Sequence, residues 1–362
     1  MVTTAQEKWV LPKMYRSSRY ALPLLLGILT TGCVAVTPSP KKTIVMPEPT
    51  PVTISDEGLA NEISQLKTTR RVKDKIRRLH HEDPVERAWA AYQLAKLGRG
   101  AAPAVPYLLN MLTDNTPVLL SRYLGAGFHS SSYTTPAQEA SRTLAKIGEP
   151  AMPGLVEAMS SSNEDVRRLA VKSLGQLGNI KSIEVLIRAL TDPSRRVQAA
   201  AAIALGNYRH PIASQKLTEV FPTVEPKVRV HLIYALSQIN DIIAVPFLMD
   251  QFAQQEPDVK AAIALALGKL RDARALPTLL TAAQDDDEIV RANGLYALSS
   301  FYTPVVIDTL INSLDDPVQR VREAAAEALN QLTGLKLGPV KQDWLSWWET
   351  QKQAMQKQGK SK

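Results

Sequence analysis

The chain has 362 residues, of which 45% are hydrophobic, 22% charged and 6% aromatic. This composition excludes a disordered or collagen-like chain and provides enough aliphatic side chains for a large core. A single cysteine excludes an intramolecular disulfide framework and a zinc site built from several thiolates. The formal net charge of +8 suggests an anionic partner, so the placement of the charges along the chain decides what that excess means.

Residues 1–32 have the pattern of a secretory signal. A basic stretch that contains Arg16 and Arg19 is followed by a mainly apolar run at residues 21–30. This run is about half as long as the ~20 residues that cross a bilayer, so it predicts a signal segment rather than a membrane span. Either Met1 or Met14 can be the start of translation.

The residues that follow, Leu29-Thr-Thr-Gly-Cys33, resemble the lipobox of bacterial lipoproteins. Thr30 stands where that family usually has Leu. The resemblance implies that Cys33 receives lipid and becomes the new N-terminus, and that Val34 favours the outer membrane of a diderm cell. We therefore expect a lipid-anchored protein of the cell envelope that faces the periplasm. The alternative, a buried thiol after a hydrophobic helix, leaves the basic stretch unexplained.

Residues 33–56 predict an extended tether. They contain five prolines and few large apolar side chains. Such a segment cannot pack a core and is expected to be solvated.

From residue 160 onward the chain repeats itself every 31 residues. Each repeat carries a valine, a small residue seven positions later, a leucine eight positions later and another large apolar residue eleven positions later. These offsets share one face of an α-helix. A second apolar helix precedes each valine, and turns such as Asp192-Pro193, Glu225-Pro226, Glu256-Pro257 and Asp316-Pro317 are predicted to open the valine-bearing helix, with the acid as cap. The valines are Val166, Val197, Val228, Val259, Val290 and Val321.

The repeated pattern Asp-x-x-x-x-Val-Arg-x-x-Ala-x-x-x-Leu-Gly-x-Leu-Gly is similar to the HEAT-like repeats of the bilin-lyase type, and residues 166–178 and 321–332 match it best. The resemblance implies an all-α solenoid over residues 57–340, and two degenerate early units bring the count to about eight helical hairpins. Because one hairpin cannot bury its own apolar face, the hairpins must stack. In that family the residue after the valine is usually Arg and joins a polar ladder between repeats. Here this column reads Arg167, Gln198, Arg229, Lys260, Arg291 and Arg322, so Gln198 puts one rung in doubt.

Residues 114–135 interrupt the repeats. This insertion concentrates Tyr123, Phe128, His129 and Tyr133 in a chain that is poor in aromatic residues. Loops that interrupt repeats commonly lie on a binding face, so these four residues are candidate contacts for a protein partner. The alternative is that the aromatic side chains only cover the atypical second repeat.

The strongest basic run lies at residues 67–78 and has two interpretations. The preferred one is the solvated face of a capping helix whose apolar face, led by Ile63 and Ile76, turns inward. The other is contact with anionic lipid headgroups. Residues 84–340 contain 25 basic and 25 acidic residues, so they predict no continuous groove for nucleic acid. The candidate headgroup contacts are Arg70, Arg71, Lys73, Arg77 and Arg78.

The sequence offers no motif for catalysis. None of the five histidines has metal-ligand spacing, and no Gly-rich phosphate loop or Gly-x-Ser-x-Gly is present, so we predict no catalytic residue, metal site or cofactor. Residues 341–362 are predicted to cap the last repeat with Trp344, Trp347 and Trp348 on a short helix, followed by a basic tail from residue 351.

These observations predict a monomeric, non-enzymatic scaffold that binds another envelope protein through the solenoid surface. Two alternatives remain: a lyase-like or chromophore-handling HEAT-repeat enzyme, and a protein that binds the envelope surface or nucleic acid through the basic N-terminal helix.

Overall fold

The computed structural model describes residues 56–119 and 133–360, with side chains for 58–119 and 133–356. These residues belong to one compact unit, Val52–Lys362. The expected signal, the lipid-accepting Cys33 and the tether up to residue 55 lie outside the described residues, whereas Asp56, predicted as the last residue of the tether, begins the first helix.

Helices account for 76% of the described chain. Short 3₁₀ segments extend several of them, and one pair of two-residue strands is present. None of the helices in residues 56–119 and 133–360 is long and apolar enough to cross a membrane. In chain order the helices are α1 (Asp56–Gln65), α2 (Arg70–Arg78), α3 (Pro84–Ala95), α4 (Val105–Asn110), α5 (Pro136–Ile147), α6 (Met152–Ala158), α7 (Glu164–Leu177), α8 (Ser182–Ala189), α9 (Arg195–Tyr208), α10 (Pro211–Val220), α11 (Pro226–Ile239), α12 (Ala244–Phe252), α13 (Pro257–Leu270), α14 (Leu276–Ala282), α15 (Glu288–Leu298), α16 (Pro304–Asn312), α17 (Gln319–Thr333) and α18 (Lys341–Lys360).

The helices from α2 to α17 form eight consecutive hairpins, in which each even-numbered helix is followed by its partner. The second helices of neighbouring hairpins, from α3 to α17, pack against one another in chain order. This arrangement confirms the prediction of an all-α solenoid of about eight hairpins. It also explains the stacking, because each second helix contributes one apolar face to the hairpin before it and one to the hairpin after it.

The repeated leucine is the centre of the core. It is fully buried in every repeat from α7 to α17, and the small residue next to it is at most 4% exposed. Together with the valines and the apolar faces of the first helices, these side chains form one continuous cluster from Leu59 to Trp348. The leucines are Leu174, Leu205, Leu236, Leu267, Leu298 and Leu329.

The second helices approach one another so closely that glycine is needed at some contacts. A Cβ atom placed on Gly268 would lie 2.6 Å from the Cβ and 2.7 Å from the Cα of Ala297. A Cβ on Gly206 would lie 2.9 Å from the Cα of Ala235. The small residues therefore set the spacing between repeats, because any larger side chain would push the helix axes apart.

The starts of the second helices differ in part from the expectation. Glu225 precedes proline at the first position of α11, but its side chain does not cap the helix. Asp192 lies three residues before α9, and its carboxylate accepts a hydrogen bond from the backbone N–H of Ser194 at 2.8 Å. Asp316 accepts from Val318 in the same way at 2.9 Å. These aspartates therefore stabilise the turn before the helix, and they keep carboxylate positions free for other partners.

The insertion is closed at its base by the two short strands, β1 (Val118–Leu119) and β2 (Tyr133–Thr134). They pair antiparallel, with Val118 opposite Thr134 and Leu119 opposite Tyr133. This pair is a small exception to the all-α fold of the described residues.

The last helix, α18, packs against α16. Trp344 and Trp348 are buried, and the indole N–H of Trp348 donates to Oδ1 of Asp308 on α16 at 2.7 Å. The helix is longer than expected, because it continues through the stretch from residue 351 that was predicted to be a tail and ends at Lys360.

Candidate docking surfaces

Each hairpin presents two kinds of turn. Intra-repeat turns join the first helix of a hairpin to the second, and inter-repeat turns join the second helix to the next hairpin. Because the hairpins stack, each kind of turn recurs along its own edge of the solenoid.

The edge formed by intra-repeat turns carries a ladder of charged hydrogen bonds. Arg167 donates from Nε and Nη2 to the two carboxylate oxygens of Asp192, at 2.9 Å each, across the boundary between repeats. Its Nη1 donates to the backbone carbonyls of Ser161 and Ser162 in its own turn. One guanidinium therefore ties two successive turns together through a two-point contact and leaves few donors unused.

The same contact recurs in other repeats with different partners. Arg291 binds Asp316 at 3.0 Å, and Lys260 binds Asp285 at 2.8 Å. Earlier in the chain, Arg87 binds Asp114 at 2.7 Å. The side chain of Arg229 donates to the neutral amide oxygen of Gln255 at 2.8 Å, and Arg322, in the last repeat, donates to the carbonyls of Asp316 and Pro317.

The rung that the sequence put in doubt is not formed. The side-chain amide of Gln198 donates to the backbone carbonyl of Asp192 at 2.8 Å, within its own turn. Thr223 occupies the position that corresponds to Asp192, and its hydroxyl donates to the carbonyl of Val220. Both halves of the rung have therefore changed, since the cation and the acid are replaced together.

Two aspartates of the ladder, Asp192 and Asp285, are held in their ionised form. Burial acts to raise the pKa of Asp192, but hydrogen bonds from Arg167 and from the N–H of Ser194 bring it below its ordinary value. The pKa of Asp285 is lowered against burial in the same way, by Lys260 and the N–H of Asp287. A general acid or base at neutral pH needs a pKa near neutrality, so these two carboxylates are suited to structure rather than to proton transfer.

One cavity of about 340 Å³ opens beside this ladder, between α14 and α16. Its lining includes Arg291 and Asp316, which are already paired with each other. No group of three or more His, Cys, Asp or Glu residues that could hold a metal ion is found in the described part of the chain.

A second candidate surface runs along the outer side of the second helices. The residue six positions after each repeated valine points away from the core in successive repeats. In four adjacent repeats this residue is apolar or aromatic, and Ile203 and Tyr234 are 41% and 37% exposed. We call these four residues the apolar row. They are Ile203, Tyr234, Leu265 and Tyr296.

The apolar row ends in charges of opposite sign. On one side the same column continues with Lys172 and with Arg142, which pairs with Glu139. Burial followed by the charges of Arg142 and Arg168 lowers the pKa of Lys172. On the other side it continues with exposed Glu327. Burial, followed by the negative charge of Glu327, raises the pKa of the Tyr296 hydroxyl. The row therefore joins a cationic end to an acidic end.

Only one of the four aromatic or histidine residues predicted in the insertion is described. Tyr133 lies on β2 and is 64% exposed. Tyr123, Phe128 and His129 lie outside the described residues, so their role as partner contacts stays a prediction.

The basic N-terminal run forms α2, the first helix of the first hairpin. Its apolar face is buried, with Ile76 fully covered. Lys73 donates to the carbonyl of Ser64 at 2.6 Å, and Arg77 pairs with Asp74 at 2.8 Å. Arg78 reaches Glu86 at 3.4 Å. Arg70 and Arg71 are exposed, so contact of this helix with lipid headgroups stays a prediction.

The apolar row was not recognised in the sequence, although its signal is present there. The column six residues after the repeated valine reads Lys172, Ile203, Tyr234, Leu265, Tyr296 and Glu327. The residues four and seven positions after the valine are buried in the core, and the residue six positions after it lies close to them along the helix. In the sequence its large apolar residues therefore look like core residues, and only the packing of the helices shows that this position faces outward.

Residues 152–237, 190–258 and 245–330 match the family model for HEAT repeats. A comparison with curated proteins gives no match. Among solved structures, the chain is similar to a mutant of Kap121p, with 14% identity, a TM-score of 0.50, and coverage of 76% of this chain and 34% of Kap121p.

Two further structures are similar at lower TM-scores. The complex of CpcE and CpcF of phycocyanin lyase from Nostoc sp. PCC7120 has 17% identity and a TM-score of 0.33, with 86% of this chain and 99% of that chain covered. Human deoxyhypusine hydroxylase has 20% identity and a TM-score of 0.31, with 76% and 98% covered. The repeats and their stacking show that the described chain is an all-α solenoid that contains HEAT repeats.

Proposed function

We propose that this protein is a non-enzymatic scaffold, anchored in the cell envelope through lipid on Cys33, that binds another envelope protein along the apolar row. The observation that carries the proposal is the row itself. Ile203, Tyr234, Leu265 and Tyr296 repeat across four stacked hairpins without being needed to fill the core.

The state of the charged residues supports a binding role. The basic residues and aspartates of the ladder hold successive turns together, and their hydrogen bonds favour the ionised forms of Asp192 and Asp285. Exposed aromatic and aliphatic side chains flanked by charges are the usual composition of a protein interface, in which a few such side chains supply most of the affinity.

The ends of the row specify the chemistry of the partner. An apolar segment that carries an acidic residue at the end facing Arg142 and Lys172, and a basic residue at the end facing Glu327, would be complementary in charge. Opposite charges at two ends also fix the direction in which the segment lies. The tether of residues 33–56 would confine this surface near the membrane and raise its effective concentration there.

Site-specific photocrosslinking tests the binding role. A photoreactive phenylalanine analogue at position 234 is expected to capture a discrete envelope protein in intact cells. The same analogue at Gln215, which is exposed on the first helix α10 of the same hairpin, is the matched control. Equal capture from both positions, or none from position 234, would contradict binding along the row.

The anchor is tested separately. Mass spectrometry of the N-terminal peptide is expected to find acyl chains on Cys33, and Cys33→Ser is expected to release the protein from the membrane fraction. An unmodified Cys33 in a membrane-bound wild type would exclude the lipid anchor while leaving the crosslinking result intact.

A further inference from the structure

The largest apolar exposure in the described residues is concentrated along the edge formed by inter-repeat turns. Ten large hydrophobic residues are exposed, and six of them lie in or just after four of these turns. Ile243 is 77% exposed and Ile180 is 62% exposed. Because the turns recur at each repeat, the side chains follow one edge, which we call the turn edge. They are Ile180, Ile212, Ile242, Ile243, Tyr302 and Val305.

The turns of this edge carry an excess of cations. Together with the turn before α18, they hold seven basic and three acidic residues, and the four turns with exposed apolar residues hold Lys181 and Arg209 against Asp241. No ion pair is found within the described chain for Lys181, Arg209 or Arg271. Arg274 pairs with Asp272 at 2.6 Å. The basic residues are Lys96, Arg99, Lys181, Arg209, Arg271, Arg274 and Lys336, and the acidic ones are Glu149, Asp241 and Asp272.

Two of these cations occupy a backbone conformation that favours glycine. Arg209 and Arg271 follow α9 and α13 with φ of 51° and 54°. Gly178 and Gly334 hold the corresponding position after α7 and α17, with φ of 73° and 75°. An arginine is strained in this left-handed conformation. No ion pair at either side chain offsets that strain, so the exposed charge itself is the feature that distinguishes these two turns.

We propose that the turn edge lies on the surface of a membrane that contains anionic lipids. The isoleucines would enter the boundary between headgroups and acyl chains, and Arg209 and Arg271 would contact the headgroup phosphates. Interfacial binding needs this combination of apolar area and cations on one side of a protein. The inference rests on the proposed location of the protein at a membrane.

A lipid surface suits the turn edge better than a protein partner does. More than half of the surface of Ile180, Ile242 and Ile243 is clear of neighbouring residues, so these side chains protrude. Protein hot spots are side chains that insert into pockets and become fully desolvated, whereas protruding residues in a row can all enter a soft, flat surface at once. The excess of cations matches anionic headgroups.

Vesicle flotation of residues 52–362 tests the proposal without the signal or the lipid anchor. This part of the chain is the compact unit with its own continuous core. It is expected to bind vesicles of phosphatidylcholine with phosphatidylglycerol, and to bind pure phosphatidylcholine much less. Ile242→Ser with Ile243→Ser is expected to weaken binding at least about tenfold. Arg209→Gly with Arg271→Gly is expected to weaken it by about fivefold for each arginine, while the protein becomes more resistant to unfolding.

Matched controls lie away from the turn edge. Ile203→Ser on the apolar row removes an isoleucine that is 41% exposed, and the pair Arg195→Gln with Arg320→Gln removes exposed arginines from the starts of second helices. These variants are expected to leave vesicle binding unchanged. The proposal is overturned if the wild type does not bind anionic vesicles, or if the control variants lose as much binding as the turn-edge variants. It is also overturned if the turn-edge variants bind vesicles normally but lose a protein captured from the envelope. None of these outcomes depends on lipid at Cys33, so the anchor and the turn edge can fail independently.

Discussion

The two edges of this solenoid have opposite compositions. Seven of the eight intra-repeat turns carry acids, none of the eight has a Lys or Arg in its described residues, and second helices supply cations that pair with several of the acids. The inter-repeat turns carry mostly cations and exposed isoleucines. The acids are Glu82, Asp83, Asp114, Asp192, Glu225, Glu256, Asp285, Asp286, Asp287, Asp315 and Asp316.

The helix dipole explains part of this difference. Every second helix begins at the intra-repeat edge, where acids are favourable, and ends at the inter-repeat edge, where cations are favourable. The helix dipole does not explain the hydrogen bonds of the ladder or the exposed isoleucines. One edge uses its charges to join repeats, whereas the other leaves Arg209 and Arg271 exposed without an ion pair in the described chain.

The largest expected loss of stability comes from substitutions in the core between the two edges. Leu267→Ala removes a fully buried side chain, and we expect it to lower the free energy of unfolding by about 2–5 kcal/mol because a cavity remains between helices. Leu265→Ala on the same helix removes a half-buried member of the apolar row and is expected to cost much less. Chemical denaturation measures both, and equal losses would contradict the assigned core.

A broken rung is expected to cost nearly as much. Arg167→Ala leaves the carboxylate of Asp192, whose side chain is 7% exposed, without its cation, and the loss is expected to be about 3 kcal/mol. The matched change at the other edge, Arg209→Ala, removes an exposed arginine without an ion pair and is expected to change stability by at most about 0.5 kcal/mol. Similar losses for the two variants in thermal unfolding would remove the distinction between the edges.

The ladder also predicts a loss of stability in acid. Because the pKa of Asp192 and of Asp285 is lower in the folded chain than the ordinary 3.8, the folded state favours their ionised forms. The resulting stability is present above about pH 4 and is lost as the pH falls through the lowered folded values. Asp192→Asn is expected to be less stable at pH 7 and to lose less on acidification. Parallel pH profiles for Asp192→Asn and the wild type, measured by denaturation between pH 2 and 7, would show that the rung does not act in this way.

The smallest expected effect is a gain. Arg271→Gly relieves a left-handed backbone conformation, and we expect the free energy of unfolding to rise by about 1 kcal/mol. Gly178→Ala is the reverse control, since it places a Cβ atom in the same conformation and is expected to cost a similar amount. A loss of stability in Arg271→Gly would mean that the arginine contributes to packing, and it would weaken the assignment of this edge to binding.

Much of the fold could be predicted because the repeat is strict. The 31-residue spacing of valine and leucine identifies the second helices and their buried faces, since a helix has one periodicity and one apolar face must be covered. The doubt about Gln198 was also justified, because the residue lacks the charge that a rung requires. The caps were harder to predict. The carboxylate of Asp192 accepts hydrogen bonds from the N–H of Ser194 in its own turn and from Arg167 in the neighbouring repeat. Arg167 is distant from it in sequence.

The amino-acid sequence by itself determined that the hairpins exist, that they stack and which leucines they bury, because these features depend on a local period. Only the tertiary structure decided which charges find partners. Residues 84–340 are neutral in total, yet stacking brings the acids of one repeat to the basic residues of the repeat before it and leaves Arg209 and Arg271 exposed on the other edge. Electrostatic pairing depends on distances of a few ångströms between residues about 25 positions apart, and a linear sequence does not contain those distances.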